Sequence, residues 1–271
     1  MFPTLADLLP GAPPLDTHVF FVGLAAIVAG LIYWSEARRR GRIEDATIYV
    51  AVGGLAGAAI FMRLGTWAQH LNPAENASLA EQWAYGNRSI LGAMVGAWVG
   101  ILATKAVLRY KVSTGDLFAP AIAAGLAIGR VGCLLTERPG TPTGSSFGIV
   151  LNPTQAAHLN LPAGVPLHPS FVYEIAFHTV AFLLLWFWLR HLPLAPGETF
   201  VLYVGAYAIF RFCVEFVRGN EVVWAGLTRP QLFLAVSIPL LILRIVLQAR
   251  RGHYRPPVSY THLTLPTNRE V

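Results

Sequence analysis

The stretch Ile128-Gly129-Arg130-Val131-Gly132-Cys133-Leu134-Leu135-Thr136-Glu137 closes an apolar run that begins at Leu117 and is long enough to cross a bilayer, yet it carries Arg130 within it. A guanidinium facing lipid costs about 3 kcal/mol by insertion scales, so Arg130 belongs in a protein interior or a wet cavity, with a partner. Two readings stand side by side. Arg130 pairs with an acid on another helix, or it binds an anionic headgroup, for which Gly129 and Gly132 would leave the backbone open to close approach.

Working outward, the composition fits a membrane protein. Of 271 residues, 55% are hydrophobic and 13% charged, too few charges to coat a soluble globule. The formal net charge is +6, but the basic residues fall at the ends of apolar runs and form no stripe, so no nucleic-acid partner is expected. The two cysteines, Cys133 and Cys213, lack the paired spacings of a disulfide framework or a zinc site, and no metal or cofactor is expected.

A span needs about 20 apolar residues. Seven windows qualify, near Thr17–Glu36, Ala46–Ala68, Ser89–Leu108, Asp116–Leu135, Ser170–Leu189, Glu198–Val217 and Pro230–Gln248. The expected fold is an all-α integral membrane protein of about seven transmembrane helices, with one polytopic domain over residues 1–258. Residues 259–271 differ in character from everything before them and read as a non-native or disordered tail. Residues 1–16 lack the basic start of a cleaved signal peptide.

Basic residues set the orientation. One side holds twelve of them: Arg38, Arg39, Arg40, Arg42, Lys105, Arg109, Lys111, Arg190, Arg244, Arg250, Arg251 and Arg255. The other holds Arg88, Arg138, Arg218 and Arg229. This bias places the N-terminus outside and the C-terminus in the cytoplasm.

Ionisable residues inside spans mark the candidate site: Arg63, Arg130, Glu174, His178, Arg211 and Glu215. Glu174 and His178 share a helix face at i, i+4, as do Arg211 and Glu215. In the expected topology Arg63, Arg130, Glu174, Arg211 and Glu215 lie in the outer half of the bilayer. Three arginines against two carboxylates leave a positive cavity suited to a phosphate, and in a membrane the abundant phosphates are lipid headgroups.

These residues also carry a family resemblance. Leu167-His-Pro-Ser-Phe-Val-Tyr-Glu174 resembles the HPSxxYE segment of the bacterial prolipoprotein diacylglyceryl transferases. Gly129-Arg-Val-Gly132 resembles the opening of their GRxGNFxNxE signature, Phe210-Arg-Phe-Cys-Val-Glu-Phe-Val-Arg218 their FRxxVEFxR, and Asp116-Leu-Phe-Ala-Pro120 the DxxAP start of the fourth span. Tyr207 matches a family tyrosine. The likeness runs over roughly residues 18–250.

The resemblance implies a multi-pass enzyme of the bacterial inner membrane. It would move diacylglycerol from phosphatidylglycerol to the lipobox cysteine at a prolipoprotein signal peptide, with release of glycerol phosphate. Arg130 and Arg211 would hold the phosphate and stabilise the leaving group. Glu215 would orient Arg211, and His168 and Tyr173 would shape the outer mouth. Arg63, Glu174, Tyr207, Gly129 and Gly132 complete the expected substrate site.

The chain departs from the family pattern at several points. Cys133 and Thr136 replace two asparagines, Arg138 stands at the glutamate position with Glu137 one residue early, Val22 replaces a tyrosine, and Leu91 replaces a histidine of the third span. A thiol acceptor with a pKa of about 8.5 needs a base, and His168 and Glu137 are the candidates at the right depth. Two alternatives stand beside the transferase: a related lipid transferase with another acceptor, and a non-catalytic phospholipid-binding or transport protein.

Overall fold

The computed structural model describes residues 2, 4–67, 78–85 and 89–254. The stretch 259–271 lies outside them. Among the described residues, ten α-helices follow in order: α1 (Leu5–Leu8), α2 (Thr17–Arg39), α3 (Asp45–Trp67), α4 (Leu79–Tyr85), α5 (Ile90–Val107), α6 (Gly115–Thr136), α7 (Pro153–Leu159), α8 (Ser170–Phe187), α9 (Glu198–Val214) and α10 (Arg229–Arg250). Two small antiparallel ladders complete the regular structure. Strand β1 (Ile149–Val150) pairs with β2 (Pro166–Leu167), and β3 (Val222–Trp224) with β4 (Leu227–Thr228).

Six of these helices, α2, α3, α6, α8, α9 and α10, are long and apolar enough to cross a membrane. The third expected span, α5, has a shorter apolar stretch, Gly92–Val107. The chain is thus an all-α multi-pass membrane protein. Capping signals fix the helix starts. Asp16 accepts the Val19 amide at 2.8 Å, Ser89 accepts that of Gly92 at 3.0 Å, and Thr228 with Gln231 forms a reciprocal box ahead of α10, each satisfying amides that a helix start leaves bare.

Helix α6 is the hub, packed against α2, α8 and α9. Half of its apolar window is buried in protein, against 6% for α10, the least enclosed of the six. The α6 sequence explains its position. Ala119, Ala121, Ala123 and Ala124 are buried, and small side chains let neighbouring helices approach, which is how helices associate where lipid removes the hydrophobic drive. Apolar residues that face away, such as Ile27, Leu31, Leu55 and Leu240, are more than three-fifths exposed and suit a hydrocarbon surround.

Helices α3 and α5 form a close pair through glycines spaced four apart. A Cβ at Gly57 would stand 2.1 Å from the Gly96 carbonyl oxygen, and one at Gly96 would stand 2.2 Å from that of Gly57. No side chain fits there. The pair is joined to α2 by the Tyr33 hydroxyl, which donates to the Thr47 carbonyl at 3.0 Å.

Charges tie the end of the bundle where α2 finishes and α6 and α9 begin. Glu36, fully buried, pairs with Arg39, with Arg40 at 2.7 Å and with Arg190 at 3.7 Å. Asp116 accepts the Gly197 amide at 2.8 Å, which fixes the start of α9 against that of α6. Glu198 takes both guanidinium nitrogens of Arg244, at 2.8 and 2.9 Å.

Because a backbone carbonyl cannot yield as a side chain can, Gly96→Val should lower the thermal unfolding midpoint in detergent, overpacking of this kind costing about 1–3 kcal/mol. Gly30→Ala, with nothing within 4 Å of the added carbon, should leave the midpoint in place. Equal midpoints for the two variants would refute the glycine contact.

Candidate functional site

The opposite end of the bundle gathers the ionisable residues. Arg130 lies nearly two turns before the end of α6, and Glu174 in the second turn of α8, so the two helices bring them together end to start. Arg130 is 4% exposed and Glu174 0%, and the Arg130 Nε pairs with Glu174 Oε2. The other oxygen, Oε1, takes Arg218 Nη1 at 2.5 Å. Phe171, one turn before Glu174, lies under both cations, its ring centre 5.9 Å from the Arg130 guanidinium and 4.8 Å from that of Arg218. Aromatic faces attract cations in this way.

Arg211 and Glu215 form the second pair, within the last turn of α9 and the 3₁₀ turn that extends it. Glu215 is held in turn by the Asn220 amide at 2.6 Å and the Thr228 hydroxyl at 2.9 Å. Tyr207, one turn before Arg211, is 2% exposed and within electrostatic reach of Arg130, Glu174 and Arg211. Its hydroxyl lies beside the Arg130 guanidinium but makes no well-formed hydrogen bond among the described residues. Arg130, Arg211 and Arg218 against Glu174 and Glu215 leave one positive charge over, around an unanswered hydroxyl. Such a constellation is built to receive an anion.

The chain from α6 to α8 binds the two halves of the site. Gly140 donates its amide to the His168 carbonyl at 2.8 Å, and Thr141 donates to that of Val217 at 2.9 Å. A Cβ on Gly140 would lie 2.1 Å from the Val217 oxygen, so only glycine lets this segment run between α8 and the end of α9. That contact brings Arg218 to Glu174. Beside it opens a cavity of about 500 Å³, lined by Glu137, Arg138, Ser170, Phe171, Arg218 and Asn220 among others. This volume is in the range of small-molecule sites.

Other expected site residues occupy distinct places. His168 Nδ1 and the Tyr173 hydroxyl are 3.1 Å apart, a pair at the start of α8. Arg63 lies toward α4, its guanidinium 5.5 Å from the Trp83 ring and its carbonyl accepting the Gln82 amide at 3.1 Å. Gly129 and Gly132 both face α2. A Cβ at Gly132 would sit 3.0 Å from that of Phe21 and 3.3 Å from the His18 Cα, so its missing side chain admits a helix and brings His18 to the end of α6.

Of the two i, i+4 pairs, the structure joins Arg211 to Glu215 but parts Glu174 from His178. His178, fully buried, turns instead to Tyr203 of α9, with Nδ1 3.1 Å from the hydroxyl. Sequence reasoning missed Arg218 as the second partner of Glu174. The signal was present, since Arg211, Glu215 and Arg218 recur at i, i+4 and i+7 on one helical face. It also missed His18, whose Nδ1 lies 3.7 Å from Glu137 Oε1. No spacing connects residues so far apart in the chain.

Replacing Glu174 by Ala strands two cations, so the thermal midpoint should fall steeply, by the equivalent of about 3–5 kcal/mol. Tyr207→Phe removes a hydroxyl that sits beside Arg130 with no well-formed hydrogen bond among the described residues, and should leave the midpoint nearly unchanged. A large loss for Tyr207→Phe in thermal unfolding would contradict the unpaired hydroxyl.

Residues 8–250 match the family model described as prolipoprotein diacylglyceryl transferase. The chain is similar to a phosphatidylglycerol–prolipoprotein diacylglyceryl transferase 2 of Clostridium perfringens, 31% identical over 82% of this chain and 86% of the relative. It is also similar to the phosphatidylglycerol–prolipoprotein diacylglyceryl transferase of Dehalococcoides mccartyi, at 32% identity over 83% and 86% respectively. For that of Staphylococcus aureus the figures are 28%, 88% and 82%.

Proposed function

Since the chain belongs to the prolipoprotein diacylglyceryl transferase family, we propose that it transfers the diacylglyceryl group of phosphatidylglycerol to the cysteine thiol of a prolipoprotein. The observation that carries the assignment to a site is the surplus guanidinium charge around the unpaired Tyr207 hydroxyl. A phosphodiester bears one negative charge and accepts paired N–H donors, which is what Arg130 and Arg211 present.

In this reading Arg130, Arg211 and Tyr207 hold the phosphate, while Glu174 and Glu215 orient the arginines. The acceptor thiol gives up its proton to solvent at the cavity mouth, and its sulfur attacks the terminal glyceryl carbon, forming a C–S bond. The C–O bond to phosphate breaks, and its electron pair leaves on glycerol phosphate. That group gains a second negative charge as it departs, so donors already in place stabilise the transition state more than the bound lipid. Arg218 at the cavity wall supplies a further cation. His168 and Tyr173 shape the mouth.

The bias of basic residues supports a site on the outer side of the inner membrane, where a prolipoprotein presents its cysteine. A reporter active only outside the cytoplasm should be active when fused after Gly144 and silent after Arg251. The reverse result would invert the site.

Purified protein supplied with labelled phosphatidylglycerol and a lipobox peptide should yield lipidated peptide. Lipid binding without any transfer would overturn the reaction and favour a binding protein, as the leucine at position 91 would suit. Arg130→Lys keeps the charge but loses the planar fork, and should lower turnover by about 10²-fold or more, the usual cost of one transition-state donor. Full turnover in that variant would reduce Arg130 to a counter-ion of Glu174.

A further inference from the structure

Three side chains with no part in holding the phosphate converge where α2 begins and α6 ends. His18 Nδ1 lies 3.9 Å from Cys133 Sγ and 3.7 Å from Glu137 Oε1, and all three donor atoms lie within 4.8 Å of one another. Cys133 and Glu137 stand at i, i+4 on one face of α6, and the close approach at Gly132 delivers His18 from α2. Taken singly, each has a plain structural account. Cys133 is a small buried residue, and a half-exposed His18–Glu137 contact contributes at most about 1 kcal/mol.

Taken together they are the donor set of a zinc site with one position open: an imidazole nitrogen, a thiolate and a carboxylate. Zinc bonds of about 2.0–2.3 Å in a tetrahedron place ligand atoms roughly 3.4–3.6 Å apart. The two His18 separations, 3.9 and 3.7 Å, exceed that by a few tenths of an ångström, and the Cys133 and Glu137 donors, within 4.8 Å of each other, close the remaining gap by rotation of the Glu137 side chain. Magnesium and calcium, which take oxygen ligands, do not suit a thiolate. The charges also balance. A zinc ion with the Cys133 thiolate and the Glu137 carboxylate is neutral, and Arg130, which approaches Cys133 Sγ through Nη1 at 3.8 Å, is itself offset by Glu174. A donor behind a metal-bound thiolate is the usual outer support of such a ligand.

We propose that His18, Cys133 and Glu137 bind a zinc ion whose fourth position takes the acceptor thiol. The proposal rests on the reading of the acceptor as a cysteine. Coordination to zinc deprotonates a thiol outright, the proton passing to water, so the sulfur is a nucleophile without a general base. The sulfur electron pair forms the C–S bond, the C–O pair departs with the phosphate beside Arg130, and the neutral thioether, a poorer ligand than a thiolate, leaves the metal. Zinc changes no oxidation state. The missing histidine at position 91 then has a chemical replacement on a different helix.

Protein purified without chelators and equilibrated with zinc should retain about one ion per chain, as expected for a three-ligand site. Cobalt substituted for it should show a thiolate-to-metal absorption band that grows when a lipobox peptide is added, and that does not grow with a serine peptide. His18→Gln and Cys133→Ser should each weaken zinc binding by more than about 100-fold, and Glu137→Gln, at an exposed cap, should weaken it with the least disturbance to the helices. Binding of phosphatidylglycerol by that last variant reports that the fold is intact. A wild-type chain that transfers lipid with no bound zinc and in the presence of a chelator overturns the metal site and leaves the transferase reading standing. Zinc and thiol binding with no transfer does the opposite. Unchanged zinc affinity in all three variants assigns the ion elsewhere and overturns the proposal.

Discussion

The shared carboxylate of Glu174 is the constraint on which the site end of the bundle depends. A fully buried carboxylate is tolerated only with compensating charge and hydrogen bonds, and Glu174 takes one arginine on each oxygen. Those arginines come from different parts of the chain, one from α6 and one from beyond α9. Three elements therefore share one centre, and none can slide along its neighbours without exposing a bare charge to a low-dielectric surround. The Phe171 ring under both guanidiniums adds its π face to the attraction that holds them.

The same device recurs at the far end with different members, where Glu36, Asp116 and Glu198 collect Arg39, Arg40, Arg190 and Arg244. Between these two charged ends α3 and α5 meet through glycine, while buried alanines of α6 pack with Leu185, Tyr203 and aromatic rings of α8 and α9. Apolar packing in lipid has little preference for register, because tails solvate a helix about as well as a neighbour does. Register is set by charge at the ends and by carbonyl-to-glycine contacts in the α3–α5 pair. A rigid frame follows, and a rigid frame is what holds guanidinium forks at the positions a phosphate needs.

Much of this was legible in the sequence, for reasons that differ between elements. The spans were legible because hydrophobic length is a local property, and their starts because Asp16, Ser89 and Thr228 are capping residues. Arg130, Glu174, Arg211 and Glu215 were legible because each is costly in a span and needs a reason. The Arg211–Glu215 pair was legible too, from its i, i+4 spacing, but the partners of Glu174 were not. Helix spacing joined Glu174 to His178, but an arginine on α6 outbids a neutral imidazole for a buried carboxylate, and His178 was left to Tyr203. Arg218 read as an outer-loop residue despite its i+7 spacing from Arg211, because its meeting with Glu174 of α8 is a tertiary contact. His18 had no signal at all, since its position next to Cys133 follows from the packing of α2 on Gly132. The expected tail at 259–271 and the orientation of the termini rest on sequence alone.

Charge accounting links this architecture to the proposed reaction. Three arginines and two carboxylates give the resting network one net positive charge, which a bound phosphodiester neutralises. Cleavage of the C–O bond turns the diester into a monoester with a second charge, so the network must offer more positive potential late in the reaction than it does at rest. The double pairing at Glu174 allows this. A carboxylate held by two guanidiniums can release one toward the departing phosphate and still keep the other, whereas a single pair would have to leave its carboxylate buried and bare. In the proposed reaction Arg218, at the cavity wall, would be the arginine to turn toward the phosphate, with Arg130 keeping its contact to Glu174. On this account the second arginine is present because the leaving group, rather than the substrate, sets the charge that the site has to meet.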